Sequence, residues 1–186
     1  MPSTGNVFPG TGENNAGIGA TAWTSPGSVT ADDAATASCN AGASSQYLVA
    51  RNFTFGLPSN ARIVGVTVRA EGTEGSAGTE SVNAQLQDAS GALFGSSQAQ
   101  TFSGAGAAVY TYGGTSNLWG ATLTPAIVGN ANFGVRLWFT TAHNITVDFV
   151  TMAIEYVIDE PWAWKFGTRG PLTQRRPTRQ QIKNHL

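Results

Sequence analysis

"RIVGVTVRAE", residues 62–71, decides the fold class. Val64, Val66, Val68 and Ala70 fall on one parity, and Gly65, Thr67, Arg69 and Glu71 on the other. Strict alternation of apolar and polar residues is the signature of a strand that buries a single face. The same pattern recurs outward along the chain. In "SVNAQLQD" (81–88) Val82, Ala84 and Leu86 oppose Asn83, Gln85 and Gln87. In "NFGVRLWFT" (132–140) Phe133, Val135, Leu137 and Phe139 oppose Gly134, Arg136, Trp138 and Thr140. Further strands are predicted in "SQYLVARNFTF" (45–55) and "AAVYTYG" (107–113).

"ITVDFVTMAIEYVI" (145–158) breaks phase. Val147 and Phe149 share one parity, and Val150, Met152, Ile154 and Tyr156 take the other. A one-residue slip sends every later side chain to the opposite face; a bulge near Phe149 or Val150 would absorb it, and the alternative is a stretch buried on both sides. One short helix is expected in "LTPAIVGNAN" (123–132), with Thr124 as cap, Pro125 at the first helical position and Gly129 as stop. Turns are expected at "GLPSNA", "EGTEGSAGTE" and "DASGALFG". Seven or eight short strands with Gly-rich turns and almost no helix predict an all-β, jelly-roll-like antiparallel β-sandwich with extended N- and C-terminal arms.

Three segments follow. Residues 1–22 hold five Gly and two Pro without apolar period and read as an N-terminal extended arm. Residues 23–158 form the β-sandwich domain, and residues 159–186 a basic C-terminal arm. The net charge of −1 conceals a partition. Residues 1–158 carry four Lys/Arg and nine Asp/Glu; residues 159–186 carry six Lys/Arg with Asp159 and Glu160. An acidic body with a basic arm suits contact with an acidic neighbour or a second copy.

Groups that could carry chemistry are sparse. Cys39 stands alone, so no internal disulfide or thiolate metal site is expected; a buried, inert thiol is. The histidines are His143, in the hairpin-like "TTAHNIT", and His185 near the C-terminus. With no G-x-S-x-G elbow, His143 reads as a surface or hydrogen-bonding residue. Asp32, Asp33, Glu71, Glu74, Glu80 and Asp148 supply carboxylates, but no spacing selects a catalytic pair. Glu71, Glu74 and Glu80, beside a Gly-rich loop, read as solvated charge. "GTGENNAG" and "GAGAAV" do not complete a nucleotide-binding loop. No enzyme, cofactor or metal is predicted. Tyr110, Tyr112, Trp119 and Trp138 could form a sugar-stacking platform, although packing is the preferred use of both tryptophans. The N-terminus lacks the pattern of a secretory signal, and no apolar run is long enough for a membrane span.

The run "YLVARNFTFGLPSNARIVGVTVRAEG" resembles β-sandwich virion proteins of tailed bacteriophages. The matching positions are Leu48, Phe53, Phe55, Pro58, Ala61, Ile63, Gly65, Val66 and Val68. "NLWGATLT" (Leu118, Trp119, Gly120, Leu123, Thr124), "NFGVRL" (Phe133 to Val135) and Asp148 to Tyr156 are similar as well, as is the entry segment Trp23, Pro26, Asp32, Asp33 and Ala35. The likeness spans residues 23–157. It implies a structural protein of the virion, made in the host cytoplasm, and no catalytic residue. Head decoration, tail, neck and baseplate roles are all consistent with it; a capsid decoration or cement protein is the preferred expectation. A carbohydrate- or host-receptor-binding module is the alternative from another class.

The arm supplies the expected contacts. Extended, the 28 residues after Ile158 would reach about 90 Å, against about 35–40 Å for the body. Ordering them costs about 1–2 kcal/mol of backbone entropy per residue. Trp162, Trp164 and Phe166 alternate in "EPWAWKFG" and could each return about 1.5–3 kcal/mol on burial. Arg175, Arg176 and Arg179 would then pair with carboxylates or phosphates, with Arg169 and Lys183 as further partner-binding positions. The expected partners are the major capsid protein or other virion proteins, and further copies of the chain, with a trimer favoured. Nucleic acid ranks below them, because the arginines have no stacking aromatics among them.

Overall fold

A computed structural model describes residues 1–40 and 42–159. Among the described residues nine strands form: β1 (Pro9–Asn15), β2 (Ala37–Asn40), β3 (Tyr47–Phe53), β4 (Ala61–Glu74), β5 (Thr79–Gln87), β6 (Leu93–Ser103), β7 (Ala108–Gly114), β8 (Gly134–Trp138) and β9 (Asn144–Ile158). They make two antiparallel sheets, a five-stranded one in the order β1-β3-β8-β5-β6 and a four-stranded one in the order β2-β9-β4-β7.

The pairing is nested: β5 with β6, β4 with β7, β3 with β8, β2 with β9. The chain is in effect one long hairpin, with the β5–β6 turn at its tip, rolled up so that alternate pairs fall in opposite sheets. That is a jelly roll, with β1 added at one edge. The sheets enclose Val66, Val68 and Ala70 from β4, Val82, Ala84 and Leu86 from β5, and Val135 and Leu137 from β8, all fully buried. Phe133 and Phe139, flanking β8, are buried too.

β4 and β9 form the spine, and two bulges tune their register. Ala70 pairs with Val150 and Gly72 with Val147, so Asp148 and Phe149 together face Glu71. This bulge is the phase slip seen in the sequence. The second lies on β4, where Ile63 pairs with Tyr156 and Gly65 with Glu155. Val64 is the extra residue. It is therefore only half-buried, and Ile63 takes the inner position that alternation assigned to Val64. Gly65 permits the crossing of the β7–β8 connection, because a Cβ there would overlap the backbone of Thr115.

The helix forms as expected over Pro125–Val128, where Thr124 Oγ1 accepts from the Ile127 amide at 3.2 Å. Trp23 enters the core edge-on to Phe139 and donates its indole N–H to the Gln46 carbonyl at 2.8 Å. Cys39 is buried, and burial pushes its thiol up to about 11.

The segment expected as an N-terminal arm, residues 1–22, is extended but belongs to the sandwich. β2 covers only Asn144–Val147 of the β9 edge. The N-terminal residues cover the rest: Thr4 N donates to Ile154 O (3.1 Å), Val7 and Met152 exchange amide bonds (2.9 Å each), and Tyr156 N donates to Pro2 O (3.1 Å). The chain then swings to the other sheet, where β1 pairs with β3 from Pro9↔Phe53 to Asn15↔Tyr47. One segment thus seals two sheet edges that would otherwise present unpaired amides. On the opposite side β6 and β7 are joined by side chains. Gln100 Nε2 donates to Thr111 O, Gln98 Oε1 accepts from Gly113 N, and the Ser103 amide donates to Tyr110 Oη.

Candidate functional site

The aromatic and basic positions of the C-terminal arm, Trp162 through Lys183, lie outside the described residues. The root of that arm is defined. β9 ends at Ile158, and Arg62 meets Asp159 at 3.3 Å in an exposed pair. Pro2 bonds Tyr156 beside it, so the N-terminus and the start of the arm share one pole of the sandwich.

At the opposite pole the loop after β4 meets the loop before β9. Glu74, at the end of β4, has a side chain with no exposed surface. Its carboxylate accepts from Ser76 N (2.9 Å) and Gly78 N (2.7 Å), and His143 Nδ1 lies 3.2 Å away. His143 Nε2 lies 3.5 Å from Glu80 Oε2, which also accepts from the Thr141 hydroxyl. Of the two imidazole contacts, the one to Glu74 has hydrogen-bond geometry, with Nδ1 as donor to the carboxylate, while the one to Glu80 is an electrostatic contact. Glu74 and Glu80 are therefore not the solvated charges expected from a Gly-rich loop. The amides of that loop turn inward onto Glu74, and Glu80 is capped from the neighbouring loop. The hydrogen-bonding role expected of His143 is the one it occupies. The cluster ties two loops together, and its acceptors are consumed in doing so. Among the described residues no group of three His, Cys, Asp or Glu is arranged to hold a metal ion.

Burial works to raise the Glu74 carboxyl, but the bonds from Gly78, His143 and Ser76 outweigh it and hold the group at about 2, below its ordinary 4.5. A folded value below the unfolded one contributes stability that is complete above about pH 4.5 and lost as pH falls toward 2. Urea midpoints measured across that window should fall for the wild type. In Glu74→Gln they should start lower and fall less.

The proposed stacking platform does not form. Tyr112 and Trp119 are in the core. The Tyr112 hydroxyl donates to Val82 O at 3.2 Å, and burial holds its phenol well above the ordinary value. Tyr110 stacks on Phe102 at 4.0 Å. Trp138, on the outer face of the other sheet, packs edge-on against Tyr47 at 5.4 Å.

That outer face carries a polar cleft of about 230 Å³, lined by Glu13, Asn15, Arg51, Gln87, Ser90, Gly91, Asn132 and Arg136. Alternation on β1, β3, β8 and β5 aims Glu13, Arg51, Arg136 and Gln87 away from the core together. Arg51 grips Glu13 with two bonds, Nε to Oε1 at 2.8 Å and Nη2 to Oε2 at 3.0 Å. These bonds hold the Glu13 carboxyl below its usual range. Arg136 lies over the Tyr47 ring, 4.8 Å from its centroid, and donates to Gln87 Oε1 (2.8 Å) and to the Gly91 carbonyl. Sequence reasoning missed this cleft. Its residues are scattered from position 13 to 136, and Glu13 sits in a stretch without apolar period.

No family model matches the chain, and no curated protein matches it. Solved structures with partial likeness include an arabinose-bound GH51 α-L-arabinofuranosidase (8% identity, TM-score 0.42, 80% of this chain and 26% of that one). Another is PfGH50B (5%, 0.45, 79% and 23%). A third is an exo-β-agarase (6%, 0.42, 82% and 24%). The chain spans about a quarter of the length of each.

Proposed function

We propose that the chain is a structural protein of a tailed-phage particle, a capsid decoration or cement protein that fastens neighbouring subunits through its C-terminal arm. One observation carries the reading: positive charge is withdrawn from the body and collected in the arm. Of the four body arginines, Arg51 is bound to Glu13, Arg136 is nearly buried, Arg62 pairs with Asp159 at the arm's root, and Arg69 is left half-buried on β4. The arm's six Lys/Arg then face a partner without competition from an otherwise acidic body. The shared pole of N-terminus and arm root supports one attachment face. The resemblance over residues 23–157 supports the virion setting.

The full chain and a form lacking residues 160–186 should be mixed with purified phage heads and sedimented across a salt series. The full chain is expected to cosediment at low salt and to release as salt rises. The truncated form should fold and stay in the supernatant. Equal binding by both forms, or binding to isolated tails alone, would contradict the proposal.

A further inference from the structure

The cleft on the five-stranded sheet holds a cation whose placement the fold alone does not require. Arg136 is 8% exposed, and its hydrogen-bond partners are neutral, the Gln87 amide and the Gly91 carbonyl. Among the described residues it forms no ion pair. The one carboxylate lining the cleft, Glu13, has both oxygens occupied by Arg51. The lining therefore carries two guanidinium groups against one carboxylate, an excess of one positive charge in a body with only four cations. Glu13 compensates Arg136 only through space while its oxygens are bonded to Arg51, and an anionic ligand in direct contact would offset more of the cost of the buried charge.

Arg136 is also pre-organised. The Tyr47 ring and two acceptors fix the plane of its guanidinium, and those bonds engage Nε and Nη2 of its five N–H donors. A fixed fork with donors to spare suits a carboxylate. Asn132 is spent within the lining, its amide bonded at both ends to Arg51 and Ala89, but the Asn15 amide nitrogen can still donate and the Ser90 oxygen, itself donating to Asp88, can still accept, a pairing that suits hydroxyl groups. The volume, about 230 Å³, is below the about 300–1,000 Å³ of drug-sized sites and admits a single ring.

We propose that this cleft binds one acidic sugar unit, a hexuronate, with its carboxylate on Arg136 and its hydroxyls on the Asn15 amide and the Ser90 hydroxyl. The lining residues all belong to the sandwich, and, on the proposed function, the site gives the particle a contact with acidic glycan.

The test is calorimetric titration of the full chain with glucuronate and galacturonate, and with glucose and acetate as controls, at constant ionic strength. At least one uronate should bind saturably, at least tenfold tighter than either control. Asn15→Asp keeps the acceptor for the Gly17 amide, now at 2.9 Å, while cancelling the excess charge of the lining. It should weaken uronate binding at least tenfold with an unchanged melting temperature. Arg136→Gln should abolish binding, with folding checked by circular dichroism. No saturable uronate binding, equal affinity for acetate or glucose, or full affinity in Asn15→Asp would each overturn the proposal.

Discussion

Trp119→Ala is expected to lower stability by about 3–5 kcal/mol, the range for emptying a large aromatic site in a packed core. Trp119 is 1% exposed and joins three strands. Its indole N–H donates to Val66 O on β4 at 2.9 Å, and its backbone carbonyl accepts from Ser96 N on β6 at 2.6 Å. Its ring lies over Gly113 of β7, where an added Cβ would crowd the indole nitrogen and overlap the Val66 carbonyl. The indole thus plugs the side of the sandwich where β6 and β7 lack a backbone ladder. Trp119→Phe separates the parts: it keeps most of the ring volume and strands the Val66 carbonyl, costing about 1–3 kcal/mol. Equilibrium urea denaturation checks both. A midpoint for Trp119→Ala within error of the wild type would show that the ring is not needed there.

Deleting residues 1–16 is expected to be comparably damaging, although these residues lack the apolar pattern of a core element. The deletion strips the ladder from the β3 edge, the bonds of Pro2, Thr4 and Val7 to β9, and the Glu13–Arg51 pair. Each lost ladder bond contributes about 0.5–1.5 kcal/mol net, so the total reaches several kcal/mol. β3, whose Tyr47–Ala50 are buried, would become a bare edge open to pairing with other chains. Denaturation and light scattering should show a lower midpoint and concentration-dependent aggregation. An unchanged midpoint and a monodisperse solution would mean that the segment is a dispensable arm.

The contrast between these elements explains what the sequence could disclose. β5 and β8 were legible because apolar residues facing the core alternate with polar or bulky residues facing outward, a period of two that persists in β8 even though its outer face is largely covered. The bulge on β9 was legible because Val147 and Val150 are apolar on opposite parities. The bulge on β4 was not, since Ile63 and Val64 are both apolar and β-branched and either phase fits. β1, "PGTGENN", could not be read at all. Its position rests on backbone bonds to an edge and on Gly12, where a Cβ would overlap the Pro26 carbonyl. Such bonds leave no hydrophobic trace. The polar sites are hidden for a related reason. Glu74 and His143 are 69 positions apart, and Gln87 and Arg136 are 49, so only the folded register brings them together.

The central claim is that the sandwich sits on a particle and that its arm reaches an adjoining molecule from the pole shared by the N-terminus and the arm's root. Electron cryomicroscopy of the assembled virion tests it most directly. The account predicts a jelly-roll density on the head shell, with the Tyr156–Pro2 end facing the shell and continuous density leading from Asp159 onto a neighbouring subunit. A sandwich absent from the head, or one whose Glu74–His143 end faces the shell while no density extends past Asp159, would contradict it.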